Sequence, residues 1–221
     1  MSTYPLRGVL MRPIPTSTKP GGSAETSAIF TPFTLPNGTV IPNRLVKAAM
    51  EENMAGRGQL PDAPLFELYR RWSRGGVGLI ITGNVMVHAE ALTGPAGVVL
   101  DAHSPLQPFR EWATAAKSGG AQVWMQINHP GRQVGADMPG VAWGPSEVRV
   151  DIGKNSKRFA EPVAMTARQI AETVDRFVET ARLAEDAGSD DRPHGADDVT
   201  QEPGSLIQTA APLIGAPIGQ R

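Results

Sequence analysis

Apolar and polar positions fall into blocks along this chain, and the blocks change period in a regular order. Phe33-Thr34-Leu35-Pro36-Asn37-Gly38-Thr39-Val40-Ile41 places Asn-Gly between β-prone residues. That is the strongest short hairpin signal, because both turn positions require φ > 0. Residues 45–50 form a short apolar run and predict a buried strand. Asp62 stands where a helix N-cap belongs, ahead of Leu65, Leu68, Tyr69 and Trp72 at helical spacing, and Gly75-Gly76 ends that helix. Residues 77–87, rich in β-branched side chains, predict a second buried strand. Ser104-Pro105 opens a second helix with Leu106, Phe109, Trp112, Ala113 and Ala116 on one face, stopped by Gly119-Gly120. Residues 122–128, QVWMQIN, predict the third strand. A loop punctuated by Pro and Gly spans 129–164, and structureless loops of that length are usually functional. Thr166 and Gln169 then make a capping box. It opens a third helix with Ile170, Val174, Phe177, Ala181 and Ala184 on one face, and Gly188 as its stop.

The order is a hairpin followed by β-α-β-α-β-α. Such alternation implies an α/β fold with a parallel sheet covered by helices. Two architectures compete, an open doubly wound sheet and a (β/α)8 barrel. On either side the pattern is lost. Residues 1–28 are rich in Pro, Ser and Thr and predict a flexible tail. Residues 189–221 contain Pro193, Pro203, Pro212 and Pro217, no aromatic residue and no period of 2.0 or 3.6, and predict disorder. The structured domain is therefore expected over 29–188.

Composition narrows the classes. The chain has 221 residues, 40% of them hydrophobic, with 21 basic and 22 acidic side chains for a net charge of −1. It can bury a core, and its balanced charge gives no reason to expect nucleic acid or an anionic membrane as partner. It has no cysteine, which excludes disulfides, Cys-ligated metals and thiol nucleophiles and fits a cytoplasmic location. No run reaches the roughly 18 apolar residues of a membrane span. Arg7, Arg12 and Lys19 without acidic residues resemble a transit peptide, but Pro5, Pro13, Pro15 and Pro20 oppose the amphipathic helix such a peptide needs.

The open-sheet alternative would be a dinucleotide fold with G-x-G-x-x-G between its first strand and helix. Here Glu51-Glu52-Asn53-Met54-Ala55-Gly56 follows the first strand, and Gly76 and Gly78 precede a strand as a tight turn. A barrel makes a different demand: polar or small residues at the C-terminal ends of its strands, where barrel active sites lie. The first strand ends Ala48-Ala49-Met50-Glu51, the second changes character at Thr82-Gly83-Asn84, and the third ends Gln126-Ile127-Asn128-His129. Singly, each has a bland explanation: Ala48 and Ala49 as packing residues, Gln126 as an exposed amide. Their coincidence at three successive strand ends favours the barrel.

Four segments carry a resemblance, in order and in register: NRLVKAAMEENMA (43–55), GVGLIITGNVMV (76–87), QINHPGRQ (126–133) and MTARQIAETVDRFVETARLAEDAG (165–188). They resemble the N-terminal part of the old yellow enzyme family, FMN-dependent NAD(P)H:flavin oxidoreductases on a (β/α)8 TIM barrel. The 33–41 hairpin matches the one that plugs the barrel bottom there. The resemblance implies FMN as cofactor and NAD(P)H as reductant. It also implies a small electrophilic substrate such as an activated alkene or enone. It places Ala48, Ala49, Met50 and Glu51 against the isoalloxazine ring, where small side chains permit close approach and Met offers an adaptable surface. It places Gly83 and Asn84 beside the pyrimidine, and Gln126 hydrogen-bonded to it, since one amide matches N–H next to C=O. His129 and Arg132 would shape the rim loop. Glu51 stands where the family often has Thr or Cys. A carboxylate there would lower the flavin potential, unless it turns to solvent or pairs with Lys47.

The resemblance stops near Gly188. The family's next strand carries a substrate-binding His pair and a proton-donor Tyr, and here only His194-Gly195-Ala196 echoes it. The fold expected is thus an incomplete barrel, a hairpin plus about three βα units, with the third strand as an open edge. No catalytic residue and no metal ligand is expected in the chain. FMN would be held weakly, because barrel phosphate sites are built after strands 7–8. Residues 189–221 fit a frameshift or truncation. The first reading is thus an FMN-dependent oxidoreductase whose catalytic apparatus is incomplete unless an oligomer or a complementing chain completes it; the competing reading is an inactive fragment or a partner-binding remnant.

Overall fold

A computed structural model of the chain describes residues 27–36, 38–188 and a short strand at 208–209. The expected turn residue Asn37, both tails apart from that strand, and His194 lie outside the described residues. Strands β1 (Phe33–Thr34) and β2 (Val40–Ile41) pair antiparallel as the hairpin. Gly38 supplies the turn's positive φ of 85°.

The main sheet is parallel. Its path runs β3 (Val46–Lys47), β4 (Leu79–Met86), β6 (Gln122–Asn128), with β5 (Val98–Val99) pairing on the far end of β4. Helices α1 (Ala63–Arg74) and α2 (Gln107–Lys117) make the crossovers, and α3 (Ala167–Gly188) follows the third strand. The first strand is shorter than the apolar run 45–50, because the chain leaves the ladder after Lys47. The third strand's edge, expected to be open, is paired in parallel at its C-terminal end by β9 (Gln208–Thr209), opposite Gln126 and Ile127.

The core lies between the sheet and the helices, where Leu65 and Tyr69 of α1 meet Ile80, Val85, Leu100, Phe109, Trp112, Leu183 and Ala187. Tyr69 is fully buried, edge-on to Trp72 and Trp112 with ring centroids 5.0 Å away in each case. Full burial of one such side chain contributes roughly 1.5–3 kcal/mol.

Several local expectations are corrected. Asp62 occupies the N-cap position of α1 but makes no capping hydrogen bond; its carboxylate packs against Gly56 instead. The second helix begins at Gln107, since the Ser104 hydroxyl closes the preceding turn by accepting the Asp101 N–H at 3.0 Å. The loop 129–164 is not structureless, because β7 (Ala142–Gly144) and β8 (Pro162–Ala164) pair within it. The capping box forms as expected, with Thr166 N donating to Gln169 Oε1 at 2.9 Å and Gln169 N to Thr166 Oγ1 at 3.3 Å. The buried face of α3 is displaced from the expected one. Thr180, Leu183, Ala184 and Ala187 are buried, whereas Ile170 and Val174 are exposed. Only the C-terminal half meets α2 and Leu100, whose carbonyl accepts the Thr180 hydroxyl at 2.7 Å, so neighbours rather than periodicity choose the face.

Candidate functional site

β4 carries one residue more than β6 between two paired positions. Ile81 pairs with Trp124 and Asn84 with Gln126, so Thr82 and Gly83 together oppose Met125, which is a β-bulge. The bulge reverses the alternation of side chains. Ile80 and Val85 are an odd number of residues apart, yet both sit in the helix-side core; in a regular strand they would face opposite sides. Asn84 is thereby turned to the face away from the helices. Gln126 shares that face, because its neighbour Met125 packs toward the core. Thr82 repairs the ladder: its hydroxyl donates to the Gly83 carbonyl at 2.8 Å and accepts the Gln126 N–H at 2.9 Å.

The two amides then meet. Gln126 Nε2 donates to Asn84 Oδ1, which leaves Gln126 Oε1 and Asn84 Nδ2 without a partner among the described residues. The pair therefore offers one acceptor and one donor side by side on the open face.

On the other side of β4 lies the segment that follows β3. Ala48, Met50 and Glu51 are exposed and Ala49 is half-buried. The Met50 carbonyl and the Glu52 carboxylate fill the space that a Cβ on Gly83 would need, so only glycine lets this segment lie so close on β4. Asn53 holds a left-handed conformation, φ 51°, which asparagine tolerates better than most residues. Glu51 accepts the Thr93 hydroxyl. The alternative pairing of Glu51 with Lys47 does not form. Lys47 points to the helix side, its Nζ 4.4 Å from the Trp72 ring centroid, and there it meets Glu52 at 3.4 Å. The structure thus brings the Met50 carbonyl against Gly83 on one side of β4, and joins Asn84 to Gln126 on the other. The cleft between 51–54, Asn84 and 96–98 leaves room for only about 10 Å³, roughly one water. Ligand pockets run from roughly 300 to 1,000 Å³, so this cleft is too small for a flat ring.

His129 and Arg132 stand apart from the amide pair. His129 is buried, its Nδ1 accepts the Gly131 N–H at 3.1 Å, and its Nε2 has no partner among the described residues. Burial first, then the neighbouring His88 and Arg176, hold its pKa down at about 4, so the ring is neutral at pH 7. Arg132 is exposed and donates to the Val148 and Arg149 carbonyls at 3.2 Å, ordering the loop. Among the described residues no three His, Asp or Glu side chains are grouped to hold a metal, and no helix is long and apolar enough to cross a membrane.

Glu52 and Tyr69 were not legible as site residues. Lys47 inside an apolar run was the available signal, since a buried lysine demands a carboxylate, but sequence alone offers Glu51 as readily as Glu52.

Residues 28–192 match the model of the NADH:flavin oxidoreductase / NADH oxidase family. The NADH-dependent flavin oxidoreductase iliE of Neonectria sp. (strain DH2) is 36% identical over 174 residues, covering 71% of this chain and 23% of that protein. Among solved structures, the old yellow enzyme homologue from Zymomonas mobilis superposes with a TM-score of 0.62 at 23% identity, over 73% of this chain and 46% of that one. A 2-naphthoyl-CoA reductase complex gives 0.66 at 21% identity, over 73% and 26%. The chain spans less than half the length of each of these three proteins. The hairpin and the three βα units are the corresponding portion of a (β/α)8 barrel.

Proposed function

The chain belongs to the NADH:flavin oxidoreductase / NADH oxidase family, and we propose that it carries one wall of an FMN site in an NAD(P)H-dependent oxidoreductase acting on a small electrophilic substrate such as an activated alkene or enone. When bound, FMN supplies hydride transfer from the nicotinamide to the substrate. The observation that carries this reading is the Asn84–Gln126 amide pair beside the close-packed 48–51 segment. The donor and acceptor left over by the pair match the N–H and C=O of a flavin pyrimidine. Exposed Ala48 and Met50, with half-buried Ala49 between them, form a small and adaptable surface on which a planar ring can lie, and Glu51 stands at its border.

The chain's own residues would bind and orient the ring. The substrate's chemistry and the phosphate grip belong to parts of the barrel that the family places elsewhere. A soluble cytoplasmic setting agrees with this reading. The test is direct. The purified full chain is titrated with FMN and followed by flavin fluorescence and absorption, then mixed with NADH or NADPH. Saturable binding with bleaching of the flavin absorption band supports the reading, and absence of saturable FMN binding refutes it.

A further inference from the structure

A lysine, a glutamate and a tyrosine are buried together just behind the two strand ends assigned to the flavin. Lys47 Nζ and Glu52 Oε1 lie 3.4 Å apart, with side chains 6% and 9% exposed. The same carboxylate oxygen accepts the Tyr69 hydroxyl at 2.6 Å. Tyr69 in turn accepts the Gly83 N–H at 3.1 Å, and Lys47 donates to the Ile81 carbonyl at 2.9 Å. Stability alone does not call for such a group, since well-packed apolar residues of equal volume often serve as well or better than a buried ion pair. What the cluster offers is geometry.

Lys47 and Glu52 are the residues immediately before and after the tetrapeptide 48–51. Their ion pair closes that segment into a clasp. The second arm, from Glu52 through Tyr69, ends on the backbone of Gly83, next to Asn84. One carboxylate therefore ties together the segment that would face the ring and the strand end that would flank the pyrimidine. Tyr69 is itself held from α1 by edge contacts with Trp72 and Trp112, so the clasp is anchored to the rigid core. Burial, together with the Glu52 charge, pushes the Tyr69 phenol well above its usual range, which keeps it protonated as a donor at neutral pH.

We propose that Lys47, Glu52 and Tyr69 are positioning residues, which hold residues 48–51 and Gly83-Asn84 in fixed relation so that two separate strand ends present one continuous face to the flavin. The inference rests on the flavin reading above. It does not make any of the three a catalytic residue.

The experiment uses the full chain and the variants Tyr69→Phe and Glu52→Gln. Tyr69→Phe keeps the ring in its aromatic cage and removes only the hydroxyl. Without FMN, amide hydrogen exchange of Gly83 is expected to quicken at least about ten-fold in Tyr69→Phe, with β6 amides unchanged. With FMN, the dissociation constant is expected to rise about ten-fold in each variant, and the flavin absorption maximum to move. Equal acceleration in β6 and at Gly83 would reduce the cluster to a general stabiliser and overturn the proposal. So would unaltered Gly83 exchange together with an unaltered FMN dissociation constant. A parent chain that binds no FMN at all sinks the flavin reading and this role toward it. In that event the exchange at Gly83 still shows separately whether the clasp holds the two strand ends.

Discussion

Ile80 and Val85 lie on one strand, an odd number of residues apart, and face the same core. The bulge at Thr82-Gly83 that permits this also turns Asn84 toward Gln126. The Asn84–Gln126 pair is thus a by-product of one extra residue, and each part of the candidate site makes a testable demand.

Thr82→Val keeps the shape but removes the hydroxyl that accepts the Gln126 N–H and donates to the Gly83 carbonyl. Leaving that half-buried amide unpaired costs up to about 1–3 kcal/mol. Urea unfolding should show a lower midpoint with an unchanged slope. A midpoint equal to the parent's would mean that the hydroxyl does not sustain the bulge.

Gly83→Ala asks for space already held by the Met50 carbonyl and the Glu52 carboxylate. Forcing an extra methyl into a packed site costs about 1–3 kcal/mol, and here it also lifts residues 50–52 off β4. Thermal unfolding and FMN titration should both worsen. A variant as stable as the parent would show that the segment moves freely on the strand.

Gln126→Leu deletes one member of the amide pair while keeping its volume. One neutral hydrogen bond lost, with some desolvation left uncompensated, amounts to about 1–2 kcal/mol, or roughly five- to thirty-fold in the FMN dissociation constant. Fluorescence titration measures it, and binding as tight as the parent's would remove Gln126 from the flavin site.

Glu51→Gln takes a negative charge from the border of the proposed ring surface and preserves an acceptor for Thr93. A carboxylate there opposes negative charge on the reduced ring, so its removal should raise the midpoint potential by about 30 mV. Dye-equilibrated reductive titration is the measurement. An unchanged or lowered potential would place the carboxylate away from the ring.

Acid should destabilise the protein through His129. Its folded pKa is depressed from 6.5 to about 4, so the folded state binds the proton less readily than the unfolded chain. Its contribution is complete above pH 6.5 and is lost as pH falls from 6.5 toward 4, by about 3 kcal/mol in total at 1.36 kcal/mol per unit. His129→Asn, which retains an acceptor for the Gly131 N–H, should flatten that part of the stability profile. Parallel profiles for parent and variant between pH 7 and 4 would assign the acid sensitivity to other groups.

Much of the fold was legible in the chain because its causes are local. The β1–β2 hairpin, the third strand at 122–128, the Thr166–Gln169 capping box and the glycine stops after α1 and α2 depend on a few adjacent residues, and each formed where the pattern placed it. The alternation of strands and helices fixed a parallel α/β sheet for the same reason. The strand ends that would carry the site were visible as well, since barrels confine polar and small residues there.

Tertiary structure decided what depends on residues far apart in sequence. Periodicity gave α3 an apolar face but could not say that α2 and Leu100 would cover Thr180, Leu183 and Ala187 while Ile170 and Val174 stayed exposed. A bulge exists only against a partner strand, so the turning of Asn84 toward Gln126 could not be read from β4 alone. The choice of Glu52 over Glu51 as the partner of Lys47 is likewise three-dimensional. The two carboxylates are adjacent in sequence, and only the burial of Lys47 under Trp72 and Tyr69, on the helix side of the sheet, selects between them.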